Sequence, residues 1–165
     1  MRLSTRGRYA VMAMVELAAR EHGLGPAGAG RNQVSLAEIA QAQHLSLAYL
    51  EQLFCPLGRA CLGSSARGPG GGYRLARGAD RISISEIVHA VDEPIQATRC
   101  EEGGPGCLAG QRCLTHDLWA ELGDQIRLFL EGLSLADVIG GQVTGRAAPP
   151  RSAGPAPEGP GEAAR

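Results

Sequence analysis

Ser35-Leu36-Ala37-Glu38-Ile39-Ala40-Gln41-Ala42-Gln43-His44-Leu45-Ser46-Leu47-Ala48-Tyr49-Leu50-Glu51-Gln52-Leu53-Phe54 is the stretch that decides the fold. Ser35 with Glu38 three residues later is a capping box, which opens a helix by satisfying its first backbone donors. That helix carries Leu36, Ile39 and Ala40 inward and is expected to end near Gln43. Only His44 and Leu45 separate it from Ser46, read as the cap of a third helix bearing Leu47, Leu50, Leu53 and Phe54. Two short helices joined by so tight a turn make a helix-turn-helix.

Upstream, Val11, Met14, Val15 and Ala18 recur at helical spacing and predict a helix over 5–20. Downstream, residues 64–67 and 73–75 read as strands around the tip Gly68-Pro69-Gly70-Gly71-Gly72, a β-hairpin. Before the hairpin, Pro56 is expected to turn Cys55 away from helix, with Gly58 and Gly63 weakening any helix beyond it. A further capping box, Ser83 to Glu86, starts a helix with Ile84, Ile87, Val88 and Val91 on one face. Residues 116–133 predict a longer helix with Leu118, Leu122, Ile126, Phe129, Leu130 and Leu133 apolar. One small core cannot cover that stripe, so a second chain is expected to. The fold class is mainly α with a small β-hairpin: a winged helix-turn-helix plus a long dimerisation helix.

At 165 residues the chain makes one ordinary domain with room for an appendage. A hydrophobic fraction of 44% supports a globular core, and 4% aromatics leaves that core to aliphatic residues. No run of eighteen apolar residues and no signal-peptide core occur, so a cytoplasmic, non-membrane protein is expected. The net charge of −1 hides a split. Residues 1–82 hold ten Arg against five acids, whereas residues 83–140 hold three Arg against ten. The charge split suggests that the first stretch meets a polyanion and the second does something else. With the cysteine loop and apolar helix that follow, 1–82 is expected to be the DNA-binding region and 83–140 the ligand loop and dimerisation helix. Residues 141–165, with five Gly, five Pro and six Ala, are expected to be a disordered tail.

The hairpin glycines are not a phosphate loop. They lack the G-x-x-x-x-G-K-[ST] order, and the chain contains no Lys. In a winged helix such a tip lets backbone approach a DNA groove at Gly70, with Arg67 as the inserted cation. On the third helix Ser46, Ala48, Tyr49, Glu51 and Gln52 are the candidates for base contact. Gln can pair with an adenine edge and Glu can accept from cytosine N4. Arg59 is the lone cation between Ser46 and Ala66.

Cys100, Cys107, Cys113 and His116 form a C-x6-C-x5-C-x2-H pattern. A polar loop, Glu101-Glu102-Gly103-Gly104-Pro105-Gly106, lies between the first two, and no strand or helix periodicity suggests buried cysteines. The pattern points to metal ligation. Zinc usually takes closer pairs, and the long open spacing suits an iron–sulfur cluster better. Cys55 and Cys61 stand apart; for Cys55, beside Phe54, packing is expected. Cys113 and His116 could also serve an enzyme as nucleophile and base, but no orienting group or substrate pocket accompanies them.

Residues 1–11, 45–54, 67–73, 97–100 and 113–116 together resemble the family of the iron–sulfur cluster assembly regulator IscR and its winged-helix repressor relatives. The similarity covers residues 1 to about 140. It implies a homodimeric repressor that binds double-stranded DNA, with Arg6 and Tyr9 of the opening stretch in the DNA-binding set. It further implies a [2Fe–2S] cluster on Cys100, Cys107, Cys113 and His116, delivered by the iron–sulfur assembly machinery and reporting its supply to the assembly genes. The alternatives are a nitric-oxide- or iron-responsive repressor with a [4Fe–4S] cluster, and a zinc-bound or cluster-free protein of the same fold. The histidine argues against the [4Fe–4S] relatives, which generally lack it. The first cysteine gap is one residue longer than the family pattern, a difference its glycines can absorb.

Overall fold

The computed structural model describes residues 4–24, 32–66, 68, 70–91 and 113–144. Cys100, Cys107, Arg67 and all but the first four residues of the expected tail lie outside them.

Helix α1 spans Thr5–Glu21, its first turn closed by Ser4, whose Oγ accepts the Gly7 N–H at 3.0 Å. Its buried stripe is Ala10, Ala13, Met14, Leu17 and Ala18. Val11 and Val15 are only half-buried at the core's edge, so the stripe is rotated from the expected one. Alanines carry little hydropathic weight in a pattern, yet their small side chains admit neighbouring helices closely. α1 ends on Gly23 at φ 75°, with Leu24 N–H reaching back to the Ala19 carbonyl at 2.8 Å.

Helix α2, Leu36–Gln43, opens with the expected capping box. Glu38 N–H donates to Ser35 Oγ at 3.2 Å and Ser35 N–H to Glu38 Oε2 at 3.1 Å. It stops at His44, which takes φ 53°, and Leu45 N–H then donates to the Ala40 carbonyl at 2.9 Å. This left-handed stop reverses the chain within two residues and launches α3, Leu47–Arg59. Ser46 holds the N-cap position without the expected side-chain bond, and Leu47 is 43% exposed rather than inward. The buried face is Leu50, Leu53, Phe54 and Leu57.

α3 runs through Pro56, contrary to the break expected there. Proline removes one i→i−4 bond, a cost of about 3 kcal/mol in a helix interior. Burying Leu57 beside Leu53 and Phe54 returns a comparable ~1.5–3 kcal/mol. The carbonyl that loses its partner belongs to the exposed Gln52, where water can replace it. The helix ends with Cys61 at φ 55°, where glycine is usual, and Leu62 N–H donates to the Leu57 carbonyl at 3.0 Å.

Strands β1 (Gly63–Ala66) and β2 (Gly72–Leu75) form the antiparallel hairpin, with Ser65 opposite Tyr73. It begins one residue earlier than expected. Gly68 and Gly70 have φ of 112° and 80°, which explains the glycine tip. The hairpin is docked on both sides. Tyr73 packs edge-on to Phe54 of α3 at 4.8 Å, and its backbone pairs with Val34 just before α2. A Cβ on Gly72 would lie 2.7 Å from the Val34 carbonyl oxygen. Gly72→Ala should therefore lower stability by about 1–3 kcal/mol by forcing that bridge apart. A chemical-denaturation midpoint equal to wild type would contradict the docking.

After a 3-10 turn, Ala79–Arg81, helix α4 covers Ile84–Val91 and buries Ile84, Ser85, Ile87, Val88 and Val91. Burial would raise the Glu86 carboxyl, but the Ser83 N–H and the Arg77 guanidinium at 2.8 Å outweigh it and hold it below 4.5. Helix α5 spans His116–Glu131, two residues shorter than expected. Gly132 ends it, and Leu133 turns into the core, its carbonyl accepting the Ile84 N–H at 2.9 Å. A short helix α6, Leu135–Ile139, opens on a Ser134–Asp137 capping box. Five residues before Gly140 carry too little periodicity to announce a helix in sequence.

Candidate nucleic-acid interface and cluster site

Helix α3 has one face in the core and one in solvent. Ser46, Ala48, Glu51, Gln52 and Arg59 are exposed, and Tyr49 is half-buried. Tyr49 meets Tyr9 of α1 edge-on, ring centroids 6.0 Å apart at 90°, a geometry the ring quadrupoles favour. The contact seats the first turns of α1, with Arg6 and Arg8 both exposed, beside the opening of α3. Tyr9 and Tyr49 thus brace each other.

The angle of α2 is fixed by a polar chain. Glu16 of α1 accepts from Arg20 Nε at 2.7 Å and from Gln43 Nε2 at 2.9 Å, at the last residue of α2. Arg20 also lies 3.8 Å from Glu38 at the other end of that helix. These side chains are largely out of water, at 12% for Arg20 and 16% for Glu16, so the chain is more than a solvated pair. It also subtracts cations from the expected polyanion face. Arg20 and Arg77 are spent on carboxylates, leaving Arg6, Arg8, Arg59 and Arg74 as exposed, described cations of the first 82 residues besides Arg81.

At the hairpin, Gly70 is exposed at the tip. Arg74, which sequence reading passed over, is exposed on β2, its Nε donating to Ser64 Oγ at 3.2 Å. The signal was there: Arg74 alternates with the buried Leu75, the period of a strand with one wet face.

Cys113 and His116 fall in one turn. His116 N–H donates to the Cys113 carbonyl at 3.0 Å, and Cys113 Sγ lies 3.5 Å from Thr115 Oγ1. His116 is the first residue of α5 and 4% exposed, while Cys113 is half-buried. A thiol and an imidazole held one turn apart suit a centre that takes mixed sulfur and nitrogen ligands. Two of the four expected ligands therefore lie within one turn, joined by a backbone hydrogen bond; the other two lie outside the described residues. Among the described residues no cluster of three metal-ligating side chains occurs. Cys55 and Cys61 are both exposed, which corrects the packing expected of Cys55. Phe54 occupies the buried slot, and Cys55 falls one turn beyond Glu51 on the solvent face.

Beyond His116, no residue of α5 is fully buried within the chain. Leu118, Trp119, Leu122, Leu128 and Phe129 are 37–61% exposed. No described helix is long and apolar enough to cross a membrane.

Comparison with known proteins agrees with this architecture. The Rrf2 family, described as iron-dependent transcriptional regulators, matches residues 3–141. The IscR regulator of Xenorhabdus nematophila is 49% identical over 142 residues, 86% of this chain and 81% of that protein. Its Escherichia coli counterpart is 46% identical over 86% of this chain and 82% of its own. Among solved structures, T. potens IscR superposes with TM-score 0.65 at 32% identity, covering 90% of this chain and 93% of its own. CymR, the global cysteine regulator of B. subtilis, gives 0.68 at 34% identity, covering 85% and 97%.

Proposed function

The chain belongs to the Rrf2 family of transcriptional regulators, and from that premise we propose that it represses iron–sulfur assembly genes according to the state of a bound [2Fe–2S] cluster. It is a DNA-binding regulator of that family and not an enzyme. Cys100, Cys107, Cys113 and His116 hold the cluster, which the assembly machinery supplies. When bound, it contributes a labile, redox-active centre that is lost when iron or sulfide runs short.

The chain's own residues do the rest. Ala48, Glu51 and Gln52 face the major groove, with Ser46 and Tyr49 at its edge. Arg6, Tyr9, Arg59 and Arg67 grip phosphates or the minor groove, and Gly70 lets the hairpin tip come close. Two copies pair through α5 to read a two-fold operator in the cytoplasm. The observation that supports this reading is the Cys113–His116 turn at the head of α5, because it sets two of the expected ligands at the start of the helix with the uncovered apolar face.

Fluorescence anisotropy against salt concentration tests the DNA half. Arg59→Ala and Arg67→Ala should each weaken binding and reduce the log–log salt slope by about 1 per chain, whereas Glu51→Ala should change site preference instead. Unchanged slopes in both arginine variants would contradict the placement.

A further inference from the structure

A cleft of about 890 Å3 opens where the root of the wing meets α6, lined by no residue of the Cys113–His116 turn or of α3. Its charged walls are Glu21 at the end of α1, Arg74 of β2, and Arg77 and Asp80 around the 3-10 turn, with the imidazole-bearing His22 next to Glu21. Asn32 and Gln33 add amides, and Leu75, Ala136 and Ile139 supply an apolar floor.

We propose that this cleft binds an aliphatic α-amino acid as a zwitterion. Two arginines and two carboxylates balance to no net charge, which suits neither an inorganic anion nor a metal cation. A metal is further disfavoured because no three ligating side chains converge among the described residues. A ligand carrying both charges a short distance apart answers both walls at once. Arg77 is already held by Glu86 at 2.8 Å and Asp80 lies 3.9 Å from Arg81, whereas Arg74 gives only its Nε to Ser64 and Glu21 only one oxygen to Leu75. The groups left for the ligand are the other Arg74 N–H groups and the second Glu21 oxygen. Glu21 takes the ammonium and Arg74 the carboxylate, while the aliphatic side chain lies on Leu75 and Ile139.

Glu21 is fixed for this role. One of its oxygens accepts the Leu75 N–H at 2.6 Å, which pins the carboxylate of α1 to the β2 backbone at the cleft wall. Burial raises its carboxyl above 4.5, so a cation at this position is answered by a poorly hydrated acid. The walls also join the wing to α6, the element directly after α5, so an occupant ties the hairpin to the C-terminal helices.

Titration calorimetry on the full chain, without DNA, separates this site from the DNA and cluster readings. The probes are L-alanine, L-valine and L-leucine, with 4-methylpentanoate lacking the ammonium and 3-methylbutylamine lacking the carboxylate. At least one amino acid should bind saturably, and both truncated analogues at least about tenfold more weakly. Glu21→Gln keeps an acceptor for Leu75, so it should retain the wild-type melting temperature and lose about tenfold in amino-acid affinity. No saturable binding by any amino acid, equal binding of 4-methylpentanoate, or undiminished binding by Glu21→Gln would each overturn the proposal.

Discussion

Leu122→Glu is expected to convert the protein from dimer to monomer and to cost it at least about a hundredfold in operator affinity. Leu118, Leu122, Gln125 and Phe129 repeat at steps of four, three and four along α5, the spacing of a helix–helix seam, and all four are exposed. Trp119 and Leu128 flank that seam. This exposed apolar surface on one helix is what the proposed dimer would cover. A glutamate there buries an unpaired charge in the dimer but stays hydrated in the monomer. Each monomer then reads one half-site without the effective concentration that its tethered twin supplies. Sedimentation should show the monomer, with far-ultraviolet dichroism unchanged because α5 owes the core only its ends. A dimer that survives Leu122→Glu would place the interface elsewhere.

The second large effect is at His116. His116→Ala should give a cluster that still assembles but is lost in air at least about tenfold faster than in wild type. His116 is out of water at the first turn of α5, one turn from Cys113, so under the proposed assignment its removal would take away a ligand held in a fixed place. Alanine also leaves a cavity there, so lability alone could reflect loosened packing. His116→Cys separates the two: it is smaller than histidine yet restores a ligand, and should bring back cluster lifetime with a lower reduction potential. If His116→Ala held its cluster as long as wild type, the fourth ligand would be another residue. Asp117 is then the next candidate.

Much of this was legible in residues 35–54. The capping box at Ser35 and the short gap before Ser46 are local signals, and local hydrogen bonds honoured them. The rest was decided by tertiary packing. Pro56 should break a helix on propensity, yet Leu57 beyond it is buried, and the core outvoted the backbone. Leu47 reads as apolar in any window but lies on the exposed side once Leu50 and Phe54 set the helix's rotation. The turn into α6 depended on Leu133 pairing with Ile84, a contact between residues far apart in sequence that no periodicity encodes. At the candidate site, residue types announced the Cys113–His116 pair, whereas the bracing of Tyr49 by Tyr9 and the grip of Glu16 on Gln43 required three dimensions.

The most direct single measurement is the visible absorbance of anaerobically purified protein, taken with its iron and acid-labile sulfide content. Wild type should be coloured, with iron and sulfide in equal amounts, and Cys55→Ala and Cys61→Ala should match it. Cys100→Ala, Cys107→Ala and Cys113→Ala should each be colourless. A colourless wild type that carries zinc, or a chromophore that survives Cys113→Ala but not Cys55→Ala, would contradict cluster sensing through these ligands.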